Sequence, residues 1–573
     1  MSHHSTVEAS MPAGEALLRL LASRGVSFFF VNSGTDFPDI VEALARQRLE
    51  GFPAPRTMLV PHENVAVGMA YGVTMVTGQA QALMVHVNVG TANALCGLIN
   101  AARENIPLLM CAGRTPWLER GSPASRSLNI HWAQEMFDQA GMVREHTKWD
   151  YELRSAQQLE VIVDRALAIA SAEPQGPVYL SLPREVMHQA APPPAARSTQ
   201  QALSPVRPDD AAIQTMAEVL ARARRPLIIT ARAGREPEAV AHLARLAEDW
   251  AWPVVEFRPR YLNLPHSHPM HVGFEVQEWL DEADAIVVLD CDVPWIPSQA
   301  QPGAQVPIFH VGSDPLYARY PHRGFRADAN VQATPAAFLR SLAQALEMQP
   351  QDAALHSERR QRITAFNQAR RLSLKQAIDA GGAAGQPMNM AAVSHALGQA
   401  LKAHAPESAI VINEYSLVPA ALDLQRPGSY FGSSPVGGLG WGVPAALGAK
   451  LARPDALVVA AVGDGSYGFS NPLACHHTAA MHDIPVLTLV LNNASYGAVE
   501  RATRALHPQG QAVRHGMELV SLAPVPRYAQ VIEACGGWGE RVEAWADLPS
   551  ALERAIDQVS RARRPALLDV ACR

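Results

Sequence analysis

The chain is short of several things that 573 residues could carry, and each shortage excludes a class of protein. Cysteine is scarce. There are six, at positions 96, 111, 291, 475, 535 and 572, with no C-x-x-C pair. That argues against a disulfide framework or a cysteine zinc cluster and fits a reducing cytoplasm. Charged residues make up 18% of the chain and nearly cancel, leaving a net charge of −6. No basic surface for nucleic acid or for an anionic membrane is implied. Long apolar runs are missing. ALVVAAV (456–462) and PVLTLVL (485–491) fall far short of the ~20 residues a membrane helix needs. The opening MSHHSTVEAS has neither a basic stretch nor an apolar one, so no signal peptide is expected.

What is present is a repeated alternation. Short apolar, β-branched runs are followed by alanine-rich helical stretches, the pattern of parallel α/β sheets flanked by helices. The length suggests about three or four domains. Two segments interrupt the alternation. Residues 191–209 are rich in proline and polar residues, and residues 346–388 hold a charged helical stretch (SERRQRITAFNQARRL) followed by GGAAGQP. Read as linkers, they divide the chain into 1–190, 205–345 and 389–573. The outer segments end alike: DRALAIASAEPQGPVYLSL (164–182) resembles ERAIDQVSRARRPALLDV (553–570). The likeness hints at one fold used twice. The middle segment has strands PLIITA, AIVVLDCD and VPIFHVGSD but neither G-x-G-x-x-G nor G-x-x-x-x-G-K-[ST], so nucleotide binding there is unsupported.

The most informative stretch is 463–493. It opens with GDGSYG and closes with Asn492-Asn493. GDGSYG also fits the dinucleotide fingerprint, so a dinucleotide-dependent oxidoreductase is one reading. The charges favour another. ALVVAAV leads into Gly463, Asn471-Pro472 is a helix start with asparagine as N-cap, and PVLTLVL is the next strand. A right-handed crossover makes the strands parallel and puts Asp464 and Asn493 on one sheet edge. Asp464 would repel a pyrophosphate unless a cation lay between them. The ribose-binding acid of a dinucleotide site is replaced by Asn492-Asn493. Carboxylate, amide and carbonyl oxygens suit Mg²⁺, which completes its shell with phosphate and water. The stretch therefore reads as a Mg²⁺–diphosphate site.

GDG followed 26 residues later (466–491) by NN resembles the motif of thiamine diphosphate enzymes. The resemblance implies a pyrimidine-binding domain, a Rossmann-like middle domain and a diphosphate-binding domain, the outer two sharing a fold. It makes Asp464, Asn493 and the Ser495 carbonyl the Mg²⁺ ligands, and has Gly465, Ser466 and Ser416 contact the diphosphate. In SSPVGGLGWGVPAALG (433–448) it makes Leu439 the wedge that bends the cofactor and the Gly437 carbonyl the acceptor for its 4′-amino group. In TMLVPHENVAVGMAYG it assigns Glu63 to ring atom N1′, where a buried carboxyl promotes the tautomer that activates the cofactor. Because Glu63 and Asp464 meet across subunits in such enzymes, a homodimer is the minimum and a homotetramer is expected. The cofactors implied are thiamine diphosphate and Mg²⁺; no flavin motif is visible.

Within the family, NEYS (413–416), RPGSYF (426–431) and GGLGWG resemble the benzoylformate decarboxylase pattern. HVNVGTANAL (86–95) and LPHSHPM (264–270) then offer His86 and His268 as proton carriers. The resemblance implies a serine in the NSGTDFPD loop for the substrate carboxylate; the loop departs from that pattern, and Thr35 or Ser33 could substitute. RTPWLERGSPASRSLNIHWAQEMFDQ (114–139) looks more like acetolactate synthase, with Gln134 able to line the site. His476 and His477 face different sides of one helix and are read as packing or surface residues. The function expected is a lyase or carboligase for 2-oxo acids, by non-oxidative decarboxylation, in the cytoplasm. An acetolactate synthase-like carboligase or a 2-hydroxyacyl-CoA lyase is the alternative.

Overall fold

The computed structural model describes residues 10–200, 203–204, 206–382 and 388–572. The polar opening residues 1–9 and most of the GGAAGQP break lie outside them. The N-terminal unit contains β1 (Met11–Pro12), β2 (Phe28–Val31), β3 (Arg56–Leu59), β4 (Gln81–Val85), β5 (Leu108–Arg114), β6 (Asp150–Glu152), β7 (Val178–Pro183) and β8 (Ala190–Ala191). β1 and β8 pair antiparallel where the chain enters and leaves. The other six form a parallel sheet in the order β3-β2-β4-β5-β7-β6. The middle unit, β9 (Pro226–Thr230), β10 (Val254–Glu256), β11 (Ala285–Leu289), β12 (Ile308–Gly312) and β13 (Ala329–Gln332), is parallel in the order β10-β9-β11-β12-β13. The third contains β14 (Ile410–Glu414), β15 (Tyr430–Gly432), β16 (Val458–Gly463), β17 (Leu487–Asn492), β18 (Trp538–Val542) and β19 (Ala566–Ala571). Its order is β15-β14-β16-β17-β19-β18, again parallel.

The first and third sheets have one topology. In each, the second strand lies outside the first, and the sixth is inserted between the fourth and fifth. The central strands are buried on both faces, which is why they read as unbroken apolar runs rather than alternating ones. The like endings of the outer segments are thus the last helix and inserted strand of the same fold.

The outer units meet through matching helices, each following the second strand of its sheet. Helix Glu63–Thr77 crosses helix Gly442–Ala452 at very short range. A Cβ on Gly72 would lie 2.1 Å from the Ala445 carbonyl oxygen, and one on Gly448 2.1 Å from that of Met69. Glycine is required at both because backbone approaches backbone.

One linker reading needs correction. The charged stretch after residue 346 is part of a 29-residue helix, Ala353–Gly381, packed on the middle unit. Arg359 is buried and donates to the carbonyls of Trp250 and Ala223, and Ile363 joins the core.

Candidate active site

Gly463 of β16 pairs with Leu491 of β17, so Asp464 and Asn493 leave neighbouring strands side by side. Asn492 is the last residue of β17, and its amide donates to Asp569 Oδ1 on β19 at 2.8 Å. Asn493 lies one step further, where its Oδ1 accepts from the Ser495 N–H at 3.1 Å. Asp464 is buried. Its Oδ1 accepts from the Gly465 N–H at 2.9 Å, while its Oδ2 has no partner among the described residues. Burial raises this carboxyl above its ordinary value, against the opposing pull of backbone N–H groups from Gly465, Ala494 and Ser495. A buried carboxylate oxygen without a donor calls for a cation. The nearby oxygens of Asn493 and Ser495 are hard donors of the kind Mg²⁺ prefers. GDGSYG itself folds as the strand end and a short helix, Asp464–Phe469, which the sequence reading lacked. The helix expected from Asn471 to about His482 spans Pro472–Met481; Asn471 is its N-cap by position, but with φ of 54° its side chain makes no capping bond. His476 is buried against the Tyr467 hydroxyl at 2.8 Å, and among the described residues neither it nor His477 joins a metal-binding cluster.

Ser416 follows β14, with its N–H on Asn413 Oδ1 at 3.1 Å. Gly437, with φ of 68°, and the half-buried Leu439 lie in the loop between β15 and helix Gly442–Ala452. These complete the C-terminal set.

The N-terminal sheet carries a second set at its corresponding edge. Glu63 opens its helix, is buried, and accepts at Oε2 from the Asn93 amide at 3.1 Å. A Cβ on Gly90 would come 3.3 Å from Oε1, so this glycine makes room for the carboxyl. His86 caps β4. Its Nδ1 lies 2.5 Å from Asp36 Oδ1, and its Nε2 lies 3.2 Å from the Gln134 amide. Burial works against charge on this imidazole. The hydrogen bond and charge of Asp36 outweigh that, with Glu63 adding to them, and raise it above its ordinary value. The pair sits in space left by two glycines: a Cβ on Gly34 would lie 2.2 Å from His86 Nδ1, and one on Gly113 1.6 Å from Asp36 Oδ2. The next residue, Val87, has φ of 32°, backbone strain that a β-branched residue tolerates only where its surroundings impose it.

The NSGTDFPD loop brings Asp36 to His86, a partner that the sequence reading did not name. Among the described residues, neither the Ser33 nor the Thr35 side chain is hydrogen-bonded to the imidazole.

Within one subunit His268 joins neither set. It lies in the middle unit, where its Nδ1 accepts from the Met270 N–H at 3.2 Å and its Nε2 is 3.8 Å from Glu248. Nearby, Glu256, His266 and His271 converge closely enough to hold a metal ion. Their tautomers argue otherwise. Both Nδ1 atoms accept backbone N–H groups, from Leu424 and Gly273, at 3.2 Å. Each Nε2 must then carry the proton, and both face Glu256 Oε2, at 3.6 and 3.4 Å. The trio is a carboxylate held by N–H donors, which lower Glu256 to about 2 against the effect of burial.

Two edges of one topology, one bearing unsatisfied oxygen donors after a G-D-G turn and the other a buried glutamate, define an enzyme that binds a diphosphate cofactor between α/β domains. The chain belongs to the thiamine pyrophosphate enzyme family: residues 11–142 match its N-terminal TPP binding domain, 213–342 its central domain and 414–570 its C-terminal TPP binding domain. It is 26% identical to benzoylformate decarboxylase of Pseudomonas aeruginosa over 79% of this chain and 81% of that one. It is 24% identical to the acetolactate synthase isozyme 3 large subunit of Escherichia coli, over 98% and 94%. Thiamine diphosphate-dependent 4-hydroxybenzoylformate decarboxylase of Rhodococcus jostii shares the fold, with a TM-score of 0.78 at 23% identity over 98% of this chain and 99% of that structure. No helix among the described residues is long and apolar enough to cross a membrane.

Proposed function

We propose that the protein is a Mg²⁺- and thiamine diphosphate-dependent lyase or carboligase for 2-oxo acids, working by non-oxidative decarboxylation as benzoylformate decarboxylase does. The observation that carries this is the 2.5 Å His86–Asp36 pair beside Glu63. Loss of CO₂ from a 2-oxo acid leaves a carbon that must gain a proton and a hydroxyl that must lose one. An imidazole made more basic by a buried carboxylate can give the first and then take the second. Thiamine diphosphate supplies the electron sink for the bond that breaks.

The residues fit that cofactor. Asp464, Asn493 and the Ser495 carbonyl would hold Mg²⁺ and, through it, the diphosphate, with Gly465, Ser466 and Ser416 alongside. Gly437 and Leu439 would seat the aminopyrimidine, and Glu63, steadied by Asn93, would bond to N1′. Within one subunit no described hydrogen bond or ion pair joins the Glu63–His86 set to the Asp464–Asn493 set. As the resemblance implies that Glu63 and Asp464 meet across subunits, we assign the complete site to a homodimer at minimum, with a homotetramer in a cytoplasmic setting as the fuller reading; sedimentation checks the assembly.

A panel of aromatic and aliphatic 2-oxo acids, with CO₂ and organic product both measured, tests the reaction. Aldehyde released one for one with CO₂ supports it. CO₂ with a new carbon–carbon bond supports carboligation, which the near-complete coverage by an acetolactate synthase relative favours as second reading. No CO₂ from any substrate sinks both.

A further inference from the structure

The glycine run GGLGWG (437–442) is gripped from two directions by side chains outside the site described above. The first is Asn100, on helix Val87–Arg103 of the same chain's N-terminal unit. Its Nδ2 donates to the Gly438 carbonyl at 2.7 Å and its Oδ1 accepts from the Gly438 N–H at 3.2 Å. One amide thus satisfies both backbone groups of the residue between Gly437 and Leu439. Asn100 is 2% exposed, and a Cβ on Gly438 would lie 2.6 Å from its Oδ1. The second is Glu414, the last residue of β14. It is 1% exposed, and its two oxygens accept separately from the N–H groups of Gly440 at 2.7 Å and Gly442 at 2.6 Å. A Cβ on Gly442 would lie 2.9 Å from Glu414 Oε2. Gly440, with φ of 89°, would press a Cβ to 2.2 Å from the Phe469 carbonyl oxygen. At Gly438, Gly440 and Gly442 a partner occupies the space of a side chain, while Gly437 is open there and is set apart by its positive φ.

We propose that Asn100 and Glu414 are positioning residues that set the loop bearing Gly437 and Leu439, so that the shape of one subunit's cofactor seat is fixed partly by that subunit's own N-terminal unit. This rests on the reading of Gly437 and Leu439 as the aminopyrimidine seat. The two residues act differently. Asn100 mimics a peptide group and sets the loop's height against helix Val87–Arg103. Glu414 uses a buried charge to fix its twist. Burial pushes this carboxyl up to about 7, so the backbone N–H groups are what make the site tolerable for a carboxylate. Helix Val87–Arg103 begins directly after His86, carries Asn93 against Glu63 and ends beyond Asn100. It is a single rod running from the proton-handling edge to the loop, with about 21 Å between residues 86 and 100 at 1.5 Å per residue.

The test titrates thiamine diphosphate with Mg²⁺ into cofactor-free protein by calorimetry and records near-ultraviolet circular dichroism at saturation. Asn100→Ala and Glu414→Gln are each expected to weaken cofactor binding about tenfold or more and to change the dichroism of the bound cofactor. The second is isosteric, but its amide group must turn N–H toward a backbone N–H. Gly438→Ala is expected to cost more affinity in the native background than beside Asn100→Ala, where the obstructing amide is gone. Native affinity and native dichroism in both single variants would overturn the proposal. If Asn100→Ala does not fold, Glu414→Gln decides alone, and native binding by it overturns the proposal. Should the unmodified protein fail to bind the cofactor, the seat reading falls as well. Binding by the unmodified protein with no change in the variants removes only this inference.

Discussion

The two outer sheets have the same strand order, yet their functional edges are finished differently. At the N-terminal edge the ionisable groups find partners within the chain: Glu63 has Asn93, and His86 has Asp36 on one nitrogen and Gln134 on the other, although Gln134 Oε1 and Asn88 Oδ1 are buried with no hydrogen-bond partner among the described residues. The C-terminal edge is left open. Asp464 Oδ2 and Ser495 Oγ are buried with no hydrogen-bond partner among the described residues. On the proposed function, one edge would hold and move protons and the other would take a cation and the anion it carries. A duplicated fold has kept its geometry and divided the chemistry, one half of the cofactor to each copy.

The strongest way to break this contrast is Glu63→Gln. An amide can accept a hydrogen bond but cannot share a proton with a ring nitrogen. Turnover is expected to fall about 10²–10⁴-fold, with cofactor affinity much less affected. Full turnover would end the assignment of proton handling to the N-terminal edge.

Asp36→Asn comes next. The imidazole loses the charge that raises it, so its protonated form disappears at lower pH. Turnover should fall about 10–100-fold, and the alkaline limb of the rate profile should move to lower pH. An unmoved limb would mean that another group supplies the proton.

The open edge has its own signature. The folded Asp464 carboxyl is raised, so in metal-free protein its contribution to stability is full below the ordinary aspartate range and is lost as pH rises through the raised value. Thermal midpoints of chelated protein should therefore decline on that ascent, and the decline should flatten in Asp464→Asn. Mg²⁺ with thiamine diphosphate should remove it too. A decline that persists in Asp464→Asn would place its origin elsewhere.

The parts legible in the sequence were those whose signal is local. Apolar runs gave the strands, GDG at a strand end and NN at the next gave the C-terminal edge, and Glu63 lay at a helix start after β3. Asp36 was passed over because its partner is 50 residues away and no spacing links the two. Asn100 is 338 residues from Gly438, and no spacing links them. The glycine run announced a close approach but not which side chains make it. The helix Ala353–Gly381 looked like a linker because it buries few of its residues, and its docking runs through scattered ones such as Arg359, Ile363 and Asn367.

The smallest effect is expected at His268, and it sharpens the contrast by subtraction. In the sequence it stands as a second proton carrier beside His86. In the structure its neighbours are groups of the middle unit: the Met270 N–H on one nitrogen and Glu248 3.8 Å from the other. Burial lowers its basicity, and Glu248 only partly offsets that, so near neutral pH it carries less charge than an ordinary histidine. A group shifted this way, and hydrogen-bonded to its own loop, is a poor proton donor. His268→Ala should therefore leave the turnover number within about threefold of native and cost on the order of 1 kcal/mol of stability through the lost loop bond. Measured beside Asp36→Asn, it separates two histidines that look alike in sequence. A turnover loss as large as that of Asp36→Asn would return His268 to the site, and proton handling would then belong to the middle unit as well as the N-terminal edge.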